Sequence, residues 1–508
     1  MGYLHAVRQA SSAIRAGTAM EFDIVIVGGG TAGCVVAAYL ARHAALAVAV
    51  VEAGPRYPSW ALDAPLAGLR LRPFWSWRHR TRPIPGLLER PVDFPMGRVV
   101  GGTSAVNAMI AAAGHPDDYA FLGDGDRPVE TLRRDLEDLG MRTEAPRYRA
   151  GFTDAFLEAC EERGLRLVEP LDGAVAGTCG QFRRFQREGV RWSAADLLAD
   201  ARRTGRVRIL PRTSARAVIF RGNRAVGIET GGAVATGVIT ARVGVVLAAG
   251  TFGTPCLLQR SGIGPKRRLE AAGIRVRADL PGVGANLQDH LGVPWVVPSR
   301  VPAPGRPSRW VPAAIRFLRS RDGVMASNCC EAGCFLGEPG TRPTIEVFTH
   351  FQTAKRAGAV EFSTVLLHPE SRGEVGIDPE DPWGPPRIEP NYLSSPLDRS
   401  RLAEGLARTV EIANAEPLLR FGLEPSRREL DPEEIRRRAT TYFHPTGTCR
   451  QGDDAMGVTS RELRVHGTEG LWIADNSIVP DMPGGHTAMT ALLVGAKAGR
   501  AIAALAPA

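Results

Sequence analysis

The chain has 508 residues, 44% hydrophobic and 23% charged, which is ordinary for a soluble globular protein and excludes whole-chain disorder or a collagen-like structure. At roughly 100–200 residues per domain, this length predicts two or more structural units. The net charge of +9 is carried almost wholly by arginine, since Lys266, Lys355 and Lys497 are the only lysines, and the arginines form no long stripe, which argues against a nucleic-acid site.

Residues 1–20 lack the continuous apolar segment of a secretory signal, and the apolar stretches near 34–51 and 491–506 are interrupted by charge. No integral membrane segment is therefore expected, and the expected location is the cytoplasm. The eight cysteines form no CxxC pair, so buried free thiols are expected rather than a zinc site or a dithiol.

The first ordered element is FDIVIV (22–27), an apolar run that ends in GGGTAG and continues into CVVAAYLARHA, which has helical character. LAVAVVEAG (46–54) then reads as a second buried strand, completing a βαβ unit. GRVVGGTSAVNAMI (97–110) is a second glycine-rich stretch. GVVLAAGTFGTPCLLQRSGIG (244–264) reads as strand, small-residue turn and helix, and GLWIADNSIVP (470–480) precedes a helix of small and apolar residues. These distant pieces all look like one α/β core. Between 300 and 395 lie proline-rich breaks and strand-like runs such as TIEVFTHF and STVLLH, the mark of an inserted, more β-rich domain.

Gly28, Gly30 and Gly33 form GxGxxG directly after a strand and at the start of a helix. The spacing serves a tight turn, close backbone approach to a pyrophosphate and close helix–strand packing. The helix N-terminus then presents its positive dipole end to the phosphates. Glu52 closes the second strand about 20 residues on, placed to accept hydrogen bonds from a ribose, so an adenine dinucleotide is expected. The fingerprint does not separate FAD from NAD. GxSxG, GxxxxGK[ST] and HExxH are all absent from the sequence.

GRVVGGTSAVNAMI followed by GHPDDY (114–119), LPGVGANLQDH (280–290), HPTGTC (444–449) and LRVHGTEGLWIADNSIVP (463–480) together resemble the glucose–methanol–choline (GMC) oxidoreductase family. ASNCCEAGCF (326–335), SRGEV (371–375) and IEPNYLSSPLD (388–398) extend the resemblance, which runs in order from about 22 to 505. It implies a tightly bound FAD and an alcohol-oxidising site on the flavin face. The implied fold class is α/β: a discontinuous Rossmann-like FAD-binding domain with an inserted α+β substrate domain containing a mainly antiparallel sheet. The expected FAD domain comprises residues 20–60, 96–150, 200–300 and 440–508, and the substrate domain 61–95, 151–199 and 301–439.

Transferred position by position, the resemblance gives the ADP half to Gly28, Gly30, Thr31, Ala32, Gly33, Glu52 and Ala53. The pyrophosphate and flavin go to Gly101, Gly102, Thr103, Asn107, Ala108 and Met109. Ala217 or Val218 would meet adenine, Ala249 and Gly250 the ADP, and Asp475, Asn476, His486 and Thr487 the flavin end. Some members attach FAD through a histidine in the GGTSAVN region; Val106 stands there, so a noncovalent FAD is expected. His444 takes the family's catalytic histidine position and His486 the second position, filled there by histidine or asparagine. An imidazole can accept the hydroxyl proton lost in alcohol oxidation. His5, His43, His79, His350, His368 and His466 are read as core or surface residues, and His115 and His290 as structural parts of their turns.

The expected partners are a small-molecule alcohol and either oxygen or another electron acceptor, and no metal is expected. The alternative is a GMC-type lyase that keeps FAD structurally, without net redox chemistry. AFLGDGDRPVETLRRDLEDLG (120–140) and the region near 295–325 are shorter than is usual in the family, which predicts an open site admitting a bulky substrate. Phe74, Trp75, Trp77, Phe348, Phe351 and Phe443 are the candidate pocket aromatics.

Overall fold

The computed structural model describes residues 20–123, 128–300, 310–350, 359–425 and 431–505. Two seven-stranded sheets carry the molecule. In the first, the apolar strand Met20–Val27 lies between Val48–Val51 and Gly237–Leu247, parallel to both, and Val207–Leu210 extends the parallel set beyond Val48–Val51. The long strand Gly237–Leu247 divides its other edge. Its first half pairs antiparallel with Arg224–Gly232, and its last three residues pair parallel with Leu471–Ile473. Ile24, Val25 and Ile26 are fully buried, as continuous apolar strands covered on both faces must be. All four sequence-distant pieces thus meet in one core.

Helix Thr31–His43 follows the first strand, and helix Thr487–Ala503 packs along it. Glycines set that approach. A Cβ on Gly495 would lie 2.8 Å from atoms of Ala32 and Val35, and one on Gly499 would lie 2.7 Å from Tyr39. Burial is nearly continuous around both helices, so neither presents the polar face of a surface helix.

The second sheet orders Thr440–Thr441, Leu291–Pro298, Ala359–Leu366, Ile345–His350, Ala332–Leu336, Thr178–Gln181 and Arg166–Leu167. All its pairings are antiparallel except the last. IEVFTH (345–350) and STVL (363–366), from the runs TIEVFTHF and STVLLH, lie in its central strands, and Leu291–Pro298 joins it immediately after His290. One side of this sheet packs on a second apolar core, with helices Gly151–Glu162 and Pro396–Ala413 against it. Its other side, at Phe348, His350 and Glu361, borders the cavity described next, which residues of the first sheet also line. All eight cysteines are buried and unpaired. No helix among the described residues is long and apolar enough to cross a membrane, and none of their His, Cys, Asp and Glu clusters is fit to hold a metal ion.

Candidate active site

A cavity of about 2140 Å³ runs from the glycine turn of the first sheet to the inner face of the second. At the dinucleotide end, Gly28 adopts φ +105°, and a Cβ there would sit 2.2 Å from the Ala248 carbonyl oxygen, so only glycine fits. Gly102, at φ +56°, is equally constrained, because a Cβ would lie 2.6 Å from Gly30 Cα. The Glu52 carboxylate accepts the backbone N–H groups of Gly29 (3.0 Å) and Gly54 (2.7 Å), which fixes it at the strand end. Burial pushes its pKa up to about 7. Helix Thr31–His43 has neither a side-chain cap nor an acid in its first turn, leaving its N-terminal dipole uncompensated toward the cavity.

Most residues expected at the cofactor line this cavity. At the ADP end these are Gly28, Gly30, Thr31, Ala32, Glu52 and Ala53. Further along are Gly102, Thr103, Asn107, Ala108 and Met109, and then Ala217, Ala249 and Gly250. Asp475, Asn476, His486 and Thr487 close the far side. Three expected contacts fall outside the lining. Gly33 is a packing residue whose Cβ would meet the Gly28 carbonyl oxygen at 2.0 Å. Gly101 spends its N–H on the Gly29 carbonyl oxygen at 2.7 Å. Val218 is fully buried, with its N–H on Ser261 Oγ at 2.8 Å.

At the other end His444 lines the cavity, and its hydrogen bonds define its tautomer. His290 is completely buried, with Nε2 3.0 Å from the carbonyl oxygens of both Leu367 and Pro483. Carbonyls only accept, so His290 Nε2 carries a proton. Burial drives its pKa down to about 3, so the ring is neutral and Nδ1 is a bare acceptor. His444 Nδ1 lies 2.9 Å from that atom and therefore donates to it. This leaves His444 Nε2 unprotonated, without a hydrogen-bond partner among the described residues. Burial, and then His486 and His290, hold the His444 pKa well below the ordinary imidazole value. The backbone is fixed too: His444 N–H donates to Asp289 Oδ1 at 2.8 Å, and Asp289 is itself held by Tyr392 (2.5 Å) and Thr441 (2.6 Å).

The His486 ring lies edge-on to His444, 5.0 Å between centroids. Its Nε2 donates to Glu346 Oε1 at 2.9 Å, both side chains being buried. The strand Ile345–His350 carries Glu346 to that place, and helix Thr487–Ala503 begins right after His486.

Sequence reasoning missed Glu346 altogether and gave His290 only a structural role. His290 had a signal, its place in LPGVGANLQDH; Glu346 had none. Of the candidate aromatics, Trp77, Phe348 and Phe443 line the cavity. Phe74 is 77% exposed, Trp75 packs on the small apolar cluster of Ala61, Leu62, Val99, Ala105 and Val106, and Phe351 lies outside the described residues. His79 and His350, read as core or surface residues, also border the cavity.

Family models described as GMC oxidoreductase match residues 22–292 and 369–495. The chain belongs to the GMC oxidoreductase family. An uncharacterised GMC-type oxidoreductase of Mycobacterium bovis is 33% identical, over 94% of this chain and 98% of its own length. An oxygen-dependent choline dehydrogenase of Rhizobium etli is 32% identical over 94% of this chain and 95% of its own length. Among solved structures, a formate oxidase of Aspergillus oryzae, in a variant used to follow FAD modification, superposes with a TM-score of 0.86 at 25% identity, covering 96% of this chain and 98% of the other.

FAD is the cofactor of this GMC fold, and the residues here fit it. Gly28 and Gly102 let the glycine turn close on Ala248 and Gly30, while a Cβ on Gly30 would meet nothing nearer than 3.9 Å, so the Gly30 backbone lies open to the cavity that Glu52 also borders. Asn476 Oδ1 is buried with no partner among the described residues while the residue borders the cavity, a polar atom awaiting a donor. Asn476 Nδ2 is already committed to the Thr487 carbonyl oxygen at 3.1 Å.

Proposed function

We propose that this GMC oxidoreductase oxidises the CH–OH group of an alcohol to an aldehyde or ketone, with His444 as the base. The observation that carries the reading is the hydrogen-bond chain from the Leu367 and Pro483 carbonyls through His290 to His444, which leaves His444 Nε2 bare and facing the cavity. FAD, bound noncovalently since Val106 has no side chain able to bond it, supplies the hydride acceptor. His444 Nε2 takes the hydroxyl proton, and His290 holds the ring in the tautomer that can do so. His486, oriented by Glu346, fixes the substrate oxygen beside His444, and that alignment raises the effective concentration of the reacting groups. Asp289 keeps the His444 backbone in register. FAD would be held by Gly28, Glu52, Gly102, Asn107, Ala249 and Asn476. The choline dehydrogenase relative supports an alcohol as the donor.

The test is anaerobic addition of primary and secondary alcohols to the purified yellow protein. Bleaching of the visible flavin band by one alcohol class is the expected result, and readmitted air then identifies or excludes oxygen as the acceptor. A flavin that no alcohol bleaches, in a protein that cleaves a carbon–carbon bond, would replace this reading with the lyase.

A further inference from the structure

The inner face of the second sheet carries a half-buried carboxylate that the oxidation does not use. Along strand Ile345–His350, Glu346, Phe348 and His350 share one face, because alternate residues of a strand point the same way. Across from them on Ala359–Leu366 stand Val365, Ser363 and Glu361, in that order. Glu346 marks the reaction end through its bond to His486. The His350–Glu361 pair marks the other end, four residues along, which at a strand's rise is roughly 13 Å away. Phe348, His350 and Glu361 all border the cavity that contains His444.

Half-buried Glu361 differs from the buried carboxylates around it. Glu331 accepts from Thr153 Oγ1 (2.6 Å), Ser327 Oγ (2.9 Å) and Ala150 N–H (2.8 Å). Asp475 accepts from Thr254 Oγ1 (2.6 Å), Gly250 N–H (2.9 Å) and Ser477 N–H (2.9 Å). Asp289 and Glu52 are similarly satisfied. Glu361 makes no hydrogen bond or ion pair with any described residue, and burial alone pushes its pKa up. Burial is the one influence that shifts it among the described residues. His350, which faces it across the strands, is hydrogen-bonded to Cys330 Sγ at 3.1 Å, and burial lowers its pKa to about 4. Phe348 lies tilted against His350 (4.9 Å between centroids) and edge-on to Tyr442 (5.5 Å). A carboxylate drawn partly out of water without a partner is costly, and both it and flanking aromatic faces attract an ammonium group.

We propose that Glu361 anchors a positively charged amine at the remote end of an elongated alcohol substrate, whose hydroxyl lies at His444. The proposal rests on the alcohol-oxidation reading for the hydroxyl end only. A span of that order between the two ends of the strand favours a long chain over choline or ethanolamine.

The test is calorimetric titration of n-octylamine, n-octanol and octanoate into the flavin-loaded protein, wild type and Glu361→Gln. In the wild type the amine should bind at least about tenfold more tightly than the alcohol, the margin expected of one partly buried charge pair, and octanoate least. Glu361→Gln should bring amine and alcohol level, Glu361→Lys should reverse the order of amine and octanoate, and Glu361→Asp should restore part of the amine preference. Retained yellow colour and an unchanged melting temperature show that each variant is folded. Equal affinity for amine and alcohol in the wild type overturns the proposal, as does an amine preference that survives Glu361→Gln. The kinetic counterpart is flavin bleaching by ω-aminooctanol against n-octanol, with ethanolamine and choline showing no gain that depends on Glu361. Amine binding without bleaching by any alcohol would leave the anchor standing and contradict the oxidation reading. Bleaching by n-octanol without any amine preference would do the reverse.

Discussion

The two ends of the cavity are built in different ways. The dinucleotide end is made of backbone: glycines at Gly28 and Gly102, a bare helix N-terminus, and one carboxylate pinned by two N–H groups. The substrate end is made of side chains carried by antiparallel strands and by loops distant in sequence, with Glu346, His290, His444 and His486 meeting through single hydrogen bonds. A backbone site tolerates almost no change at its glycines and holds what every dinucleotide shares. A side-chain site can be altered one group at a time.

That contrast can be broken from either end. The largest effect is expected at Gly28→Val, where a branched side chain must enter a positive-φ position 2.2 Å from the Ala248 carbonyl oxygen. A cost of about 3 kcal/mol or more is expected, with loss of bound flavin measured as the visible-to-ultraviolet absorbance ratio. If Gly28→Val stays yellow and stable, the backbone account of the dinucleotide end is wrong.

His290→Gln should leave flavin content intact and slow alcohol-dependent bleaching by roughly five- to thirtyfold, the worth of an orienting hydrogen bond of about 1 to 2 kcal/mol. Stopped-flow traces would show it, and an unchanged rate would remove His290 from the tautomer chain.

The pH dependence sharpens the same point. The pKa of His444 lies well below the ordinary imidazole value, so its base form persists as pH falls. The bleaching rate should therefore stay flat through about pH 6.5, where an unperturbed imidazole would be half protonated. For stability the sign follows from His290, whose folded pKa of about 3 is depressed. Its contribution is present above about pH 6.5 and is lost as pH falls toward about 3, because the unfolded chain takes up the proton first. Acid unfolding curves of wild type and His290→Gln should converge in that window.

The smallest effect is expected at Phe74→Ser. Phe74 belongs to the aromatic run FWSW but is 77% exposed and outside the cavity lining. The change should alter stability by less than about 0.5 kcal/mol and leave bleaching untouched.

The same contrast explains what could be read from the sequence. The glycine turn, Glu52 and the assembly of distant α/β pieces were legible because a backbone cradle demands glycine at fixed spacing and a buried parallel strand demands an unbroken apolar run. Even there, Gly33 and Gly101 serve packing and turn geometry rather than the lining, and Val218 faces away while its neighbour Ala217 borders the cavity. His444 and His486 were legible only through motif resemblance. Glu346 and Glu361 were not legible at all, because nothing in TIEVFTHF or VEFSTVLL separates a carboxylate on the inner face of the sheet from one facing water until the register of the two strands is known.

The most direct measurement is stopped-flow anaerobic flavin reduction by an alcohol that bleaches the wild type, compared between wild type and a yellow His444→Ala variant. The account predicts equal flavin content and a reduction rate lower by about a hundredfold or more, the usual contribution of a general base. Reduction of His444→Ala at the wild-type rate would show that the hydroxyl proton leaves by another route, and the central claim would fail.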